Sequence, residues 1–351
     1  MESVFHLAIS PTRRIDKIIE MAKRAGRDLY LLSTGQPSIP PPPEFREYVI
    51  ELMRMESMVP YKYTPTEGYY SLREAVAEDL VKLGGPKVDP ERELTITAGG
   101  AEGLFTALIS TVKKGDEVVI FDPTYFDYEP LVKFLGAKPV YWRATVETGF
   151  QPDIDELYEL ITDKTKAIVV VSPDNPTGRI IDEKIAKAVV DLAVDKDIWV
   201  LYDEPYKTLI YEGNHVWMSR LSWEHVISMA SFSKDPGIPG WRLGYVYASG
   251  EVIKAINLVR TYTSYNPPVI AQLAVEHYLR SGLREKHMPK VIAEYRNRRN
   301  VLYEALIKEL PEVKAIKPPA GMFIFADFSA YLEKLKMTAD QLVEAVGIEK
   351  S

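Results

Sequence analysis

Residues 167–178 read AIVVVSPDNPTG. Five apolar residues, four of them β-branched, give way at once to two prolines, an asparagine and a glycine. β-branched side chains favour strands. A run with no polar alternation fits a strand covered on both faces rather than one with a wet side. The next residues cannot extend it, because Pro173 and Pro176 lack an amide hydrogen and Gly178 suits a turn. The stretch therefore reads as a buried strand stopping abruptly at a rigid corner.

The same unit recurs on either side. Apolar runs stand at 93–98 (ELTITA), 117–121 (EVVIF), 138–142 (KPVYW), 198–202 (IWVLY), 226–230 (VISMA) and 243–248 (LGYVYA). Helical patterns at 102–112, 125–135, 153–161 and 182–195 separate most of them. Strands alternating with helices predict an α/β fold, a mostly parallel seven-stranded sheet covered by helices. Upstream, Ile15, Ile18, Ile19 and Ala22 mark a helix over 13–25 stopped by Gly26, followed by a short strand and a proline-rich loop. SLREAVAEDLVKLGG predicts another helix with Ser71 as N-cap. From about 268 the pattern is helical, except for AIKPPAGMFIFADF (315–328), which reads as a strand pair. The expected division is a large domain over 46–275 and a second, smaller α+β domain from 1–45 and 276–351.

Composition narrows the partners. The chain has 351 residues, a net charge of −7 and no cysteine. The charge leaves no basic footprint for nucleic acid, and the missing thiols exclude disulfides, thiolate metal sites and a cysteine nucleophile. The five histidines show no metal-ligand spacing, so no metal is expected. No apolar stretch reaches the roughly 18 residues of a membrane span, and VFHLAI is too short for a signal sequence, so a cytoplasmic protein with no membrane partner is expected. Asparagine and glutamine number ten in all, a weak thermophile signature.

In open α/β sheets ligands bind beyond the carboxyl ends of the strands. After the first apolar run, Gly99 and Gly100 precede a helix, and free amides there suit a phosphate. Ala98–Gly103 also carries the last two glycines of a dinucleotide-binding pattern, but its first glycine is alanine. DPTYFDY offers Tyr125, either a flat face for an aromatic ligand or a core residue. SPDNPTG offers Asn175, a donor amide or an ordinary turn residue. YDEPY places Asp203, Glu204 and Tyr206 at a strand end, where a carboxylate is costly without a cation or donor unless it caps a helix. SFSKDPGIPGWRLGYV (231–246) adds Ser231, Ser233, Lys234 and Arg242. A phosphorylated pyridine aldehyde needs this set of functions.

At these residues the chain resembles the fold-type I pyridoxal-phosphate enzymes of the class I/II aminotransferase family, from about residue 10 to 328. The signature is SFSK followed by GWRLG, with NPTG and YDEPY in the right order and spacing. The resemblance implies that Lys234 holds the cofactor aldehyde covalently and that Asp203 pairs with its ring nitrogen. It implies Asn175 and Tyr206 on the ring 3-oxygen, and Tyr125 stacked on the ring. Ser231, Arg242 and the amides of Gly100 and Ala101 would hold the phosphate. Gly35 would lie, with Asn175, where substrate binds. Tyr63 would reach the phosphate of the other subunit, implying a homodimer with shared active sites.

The implied activity is a ping-pong transfer of an amino group from an L-amino acid to a 2-oxo acid. In the family a C-terminal arginine forks onto the substrate carboxylate. No arginine follows Phe328 here, so the small domain is expected to lack its usual C-terminal end. SKDPGIPG also resembles the loop of aminocyclopropane-carboxylate synthases. A β-elimination lyase or cyclising synthase on the same site therefore stays open, as does a cofactor-binding relative without activity or with a regulatory role.

Overall fold

The computed structural model describes residues 35–349 without a break, together with 19–21, 23, 24, 26 and 32. Most of the helix expected over 13–25, and the strand before Gly35, lie outside the described residues.

Helices α1 (Pro43–Arg54) and α2 (Tyr70–Lys82) lead into β1 (Leu94–Thr97) and α3 (Gly100–Thr111). Next come β2 (Glu117–Asp122), α4 (Tyr128–Phe134), β3 (Lys138–Arg143), α5 (Ile154–Leu160), β4 (Thr165–Val171) and α6 (Glu183–Lys196). The large sheet is completed by β5 (Trp199–Asp203), β6 (Val226–Ser231) and β7 (Gly244–Tyr247). Beyond it lie helices α7 (Gly250–Thr261), α8 (Val269–Arg280) and the long α9 (Leu283–Glu309). Strands β8 (Lys314–Ala315) and β9 (Ala326–Asp327) form the expected second pair, ahead of α10 (Ser329–Leu335) and α11 (Ala339–Glu349).

The seven strands run in the order β1-β7-β6-β5-β4-β2-β3. All neighbours are parallel except β7, which is antiparallel to both β1 and β6. Two reversals restore the direction, so β1 ends at the same edge as β6. This topology disposes of the dinucleotide pattern, because β1, α3 and β2 make no parallel βαβ unit with adjacent strands.

The apolar runs form strands because helices cover both faces. Five of the six residues of β2 and six of the seven of β4 are buried. One core cluster joins α3 and α6 to β2, β4 and β5 through Leu104, Val118, Ile168, Val190 and Leu201. A second seats α2 and α8 on β1 and β7 through Leu72, Leu80, Leu94, Tyr245 and Val275. Each such side chain contributes about 1.5–3 kcal/mol by leaving water. The corners hold local caps as well: Asp182 accepts from the Lys184 amide at 2.8 Å to start α6.

Two expectations are corrected. Ser71 is not an N-cap: α2 begins at Tyr70, and the Ser71 hydroxyl donates to Glu276 of α8 at 2.7 Å, a tertiary partner outcompeting the local one. The helix expected from Tyr125 begins at Tyr128, which leaves Tyr125 in the loop above the sheet.

Candidate active site

The register decides which side chains meet. Val171 and Asp203 stand side by side at the ends of β4 and β5, Met229 lies beside Asp203 two residues before the end of β6, and Ser231 pairs with Gly244. The segments carrying Asn175, Asp203 and Lys234 therefore leave the sheet next to one another.

An anion cradle forms at the β1–α3 turn. Gly99 takes φ +87°, a left-handed conformation that glycine allows. A Cβ built there would lie 2.5 Å from Nη2 of Arg242, one on Gly100 would lie 3.3 Å from Cβ of Ser231, and one on Gly244 would lie 2.8 Å from the Gly100 amide. These glycines let a helix N-terminus, Ser231 and Arg242 converge. The first-turn amides of α3, those of Gly100 and Ala101 among them, have no partner within the helix. Ser231 Oγ accepts from the Ser233 amide at 3.1 Å, and Arg242 donates to the Pro239 carbonyl at 3.1 Å, fixing both side chains at the cradle.

Asp203 ends β5 with its carboxylate lodged among protein atoms. Burial raises its pKa to about 7, against the opposing hydrogen bond from Tyr128, whose hydroxyl donates to Oδ2 at 2.8 Å. Lys234 lies across the site, its amine donating to the Gly35 carbonyl and standing 5.8 Å from the ring centroid of Tyr206. Burial lowers its pKa to about 8, so the neutral, nucleophilic form is within reach of neutral pH. Tyr206 is buried, edge-on to Phe323 at 6.0 Å, and burial holds its hydroxyl well above the usual phenol range. Phe323 also packs on the face of Gly35, where a Cβ would come within 2.3 Å of its ring.

Asn175 is half-buried at a turn that its neighbours stiffen. The Gly178 amide donates to the Asp174 carbonyl at 3.0 Å, and the buried Asp174 carboxylate accepts from Thr177. Beside it, the Arg179 guanidinium lies 4.5 Å from the ring centroid of Phe121. Tyr125 is half-buried, 5.6 Å from Tyr128 in a T-shaped pair, and packs against the core as well as facing the site. Tyr63 is not packed into this subunit's pocket. It is 83 % exposed and sits edge-on to Tyr265 at 5.3 Å.

The residues present suit pyridoxal phosphate. A desolvated carboxylate whose side-chain donor is one phenol gains from a nearby cation such as a protonated ring nitrogen. The glycine cradle accommodates a phosphate, and a lysine of lowered pKa suits an aldehyde. No group of three or more potential metal ligands occurs among the described residues.

Tyr128 was missed in the sequence, where DPTYFDY drew attention to Tyr125 alone. A second aromatic three residues on, at helical spacing, reads as core packing, and only the tertiary fold turns its hydroxyl to Asp203. Replacing Tyr128 with phenylalanine is expected to lower turnover about tenfold by removing one hydrogen bond to a charged group, worth roughly 1.5 kcal/mol. Steady-state kinetics against the parent checks this, and equal turnover would remove Tyr128 from the site.

An open sheet that gathers an anion cradle, a carboxylate, an amide and a desolvated lysine at one edge defines a pyridoxal-phosphate enzyme of fold type I. The family model described as aminotransferase class I and II matches residues 27–349. The aspartate/prephenate aminotransferase of Thermus thermophilus is 34% identical over 330 residues, covering 94% of this chain and 84% of the relative. The aspartate aminotransferase of Pyrococcus horikoshii is 36% identical over 316 residues, covering 89% and 80%. A solved mutant of the Thermus thermophilus aspartate aminotransferase superposes with a TM-score of 0.88 at 32% identity, over 94% of this chain and 85% of its own.

The chain belongs to the class I and II aminotransferase family and is a pyridoxal-phosphate-dependent aminotransferase. The lyase, synthase and non-enzymatic readings are not favoured, since these relatives are aminotransferases by name.

Proposed function

We propose that the enzyme transfers the amino group of an L-amino acid to a 2-oxo acid in two half-reactions at this site, with L-aspartate the first donor to test. The observation that carries this is that Asp203 and Lys234, both desolvated, leave the adjacent strands β5 and β6 beside the glycine cradle of Ser231 and Arg242. When bound, pyridoxal phosphate supplies an electron sink for charge developing at the substrate α-carbon.

The protein's part is to hold and to move protons. Ser231, Arg242 and the Gly100 and Ala101 amides would hold the phosphate, and Tyr125 would cover the ring. Asp203, oriented by Tyr128, would keep the ring nitrogen protonated. Asn175 and Tyr206 would donate to the ring oxygen. Lys234 would hold the cofactor aldehyde, and its neutral amine, once free, would take and move the proton leaving the substrate α-carbon. Gly35 and Asn175 border the substrate. The division into a large domain over 46–275 and a small one from 1–45 and 276–351 is part of the same reading.

A homodimer and a cytoplasmic location also belong to the proposal. Tyr63, Tyr61, Met58, Tyr262 and Tyr265 are exposed, and Tyr63 would serve the partner's phosphate. Among the described residues no helix is long and apolar enough to cross a membrane. Tyr63→Phe is expected to weaken cofactor affinity about tenfold, the worth of one hydrogen bond to a charged group, while leaving the sedimentation coefficient at the dimer value. Unchanged affinity would place Tyr63 outside the site, and a monomeric parent would end the shared-site reading.

The functional test is spectroscopic. The holoenzyme is mixed with single L-amino acids in the absence of an acceptor. The visible band of lysine-bound cofactor should give way to the spectrum of its amino form, fastest with the true donor. A band that no amino acid alters would refute the proposed transfer.

A further inference from the structure

The residue next to Lys234 is a buried aspartate whose carboxylate is hydrogen-bonded by Tyr278 and Arg284. Tyr278 of α8 donates to Asp235 Oδ1 at 2.8 Å, and Arg284 Nε donates to Oδ2 at 2.7 Å. Arg284 Nη1 in turn donates to Asp79 Oδ1 of α2 at 2.9 Å. Asp79, Asp235, Arg284 and Tyr278 are all buried. Arg284 is the second residue of α9. A cation is disfavoured at a helix N-terminus, so this position is explained by its two carboxylates rather than by the helix. The Lys207 ammonium and Glu204 share a small cavity of about 20 Å³ with these groups, and Ser231 and Phe232 are also in its lining.

We propose that Asp235 is a positioning residue for Lys234: Tyr278 and the Arg284–Asp79 pair clamp its carboxylate, which fixes the backbone from which Lys234 projects into the pocket. This rests on the assignment of Lys234 as the lysine that holds the cofactor.

The physical argument is one of leverage. The lysine side chain has four rotatable bonds, and its amine is hydrogen-bonded to the Gly35 carbonyl. Delivery of that amine to one carbon atom therefore depends on where its Cα is held, and an ångström of misplacement costs orders of magnitude in rate. Within this turn Lys234 bonds the Gly35 carbonyl while its neighbour Asp235 bonds Tyr278 and Arg284, so the clamp on one residue holds the backbone from which the other projects. The clamp draws on three helices, α2, α8 and α9, none of which contributes a proposed cofactor ligand. Its covalent link to the site is the Lys234–Asp235 peptide.

The experiment times cofactor capture by the apoprotein. Pyridoxal phosphate is mixed with apo parent, Asp235→Asn and Tyr278→Phe in a stopped-flow spectrophotometer. Borohydride trapping and peptide mapping identify the linked residue, and thermal melts report folding. The expected result is an unchanged fast binding phase, since the phosphate cradle is untouched. The covalent phase at Lys234 should slow tenfold or more in Asp235→Asn and two- to fivefold in Tyr278→Phe, which leaves no buried charge unpaired. A folded Asp235→Asn whose covalent phase stays within twofold of the parent overturns the proposal, even if its melting temperature falls. If Asp235→Asn does not fold, Tyr278→Phe decides alone, and a covalent phase unchanged from the parent overturns it. Trapping of the parent at a residue other than Lys234 overturns both the proposal and the assignment beneath it.

Discussion

Lys234→Ala is expected to lower turnover by about four orders of magnitude or more, because one substitution removes both the covalent hold on the cofactor and the positioned base. Lys234→Arg should lose as much. A guanidinium keeps the charge but stays protonated and cannot attack an aldehyde, so the pair of variants separates nucleophilicity from charge. Both should still bind pyridoxal phosphate through Ser231, Arg242 and the α3 amides, without the band of the lysine-bound form. The pH dependence comes from burial of the amine. With a pKa of about 8, the neutral fraction grows tenfold per pH unit below that value and levels off above it. Cofactor capture by the apoprotein should therefore accelerate from pH 6 to about 8 and then flatten. Capture that instead slowed with rising pH, or a Lys234→Ala variant with parental turnover, would move the chemistry to another residue.

The parts of the site that could be read in the sequence are those where a strand ends and a chemically odd residue begins. AIVVV running into Asn175, IWVLY into Asp203 and VISMA into Ser231 and Lys234 each juxtapose a buried run with a polar group, and all seven strands appeared where such runs lie. The hidden parts depend on tertiary distance. Asp79, Asp235 and Arg284 are up to 205 positions apart, and three charged residues on unrelated elements leave no periodic mark. Tyr128 was hidden by its own aromaticity. Ser71 misled because a serine ahead of an amphipathic run has good N-cap chemistry, and nothing local reveals that Glu276 will take its hydroxyl. The reversal of β7 was equally invisible: an apolar run gives a strand's existence and not its direction, which depends on the short connection through Gly240 and Arg242.

Asp203→Asn should cost activity and increase stability together. The asparagine amide can still accept from Tyr128 but cannot keep a ring nitrogen protonated, so turnover should fall about a thousandfold with the loss of that electrostatic partner. Stability moves the other way. In the folded apoprotein the Asp203 pKa stands near 7, against an ordinary value of 3.8. Between those values the folded chain holds a proton that the unfolded chain has released, so stability falls as pH rises through the window. The shift corresponds to a loss of up to about 4 kcal/mol at pH 8, at about 1.4 kcal/mol per pKa unit. Asparagine removes that cost, so apo Asp203→Asn should melt higher than the apo parent at pH 8 and about equally at pH 4. Cofactor should reverse the ranking, because only the parent gains an ion pair on binding. Melts of apo and holo forms at both pH values test all of this. An apo variant less stable than the parent at pH 8 would show that Asp203 is not desolvated as its surroundings imply, and turnover within tenfold of the parent would remove it from the ring nitrogen.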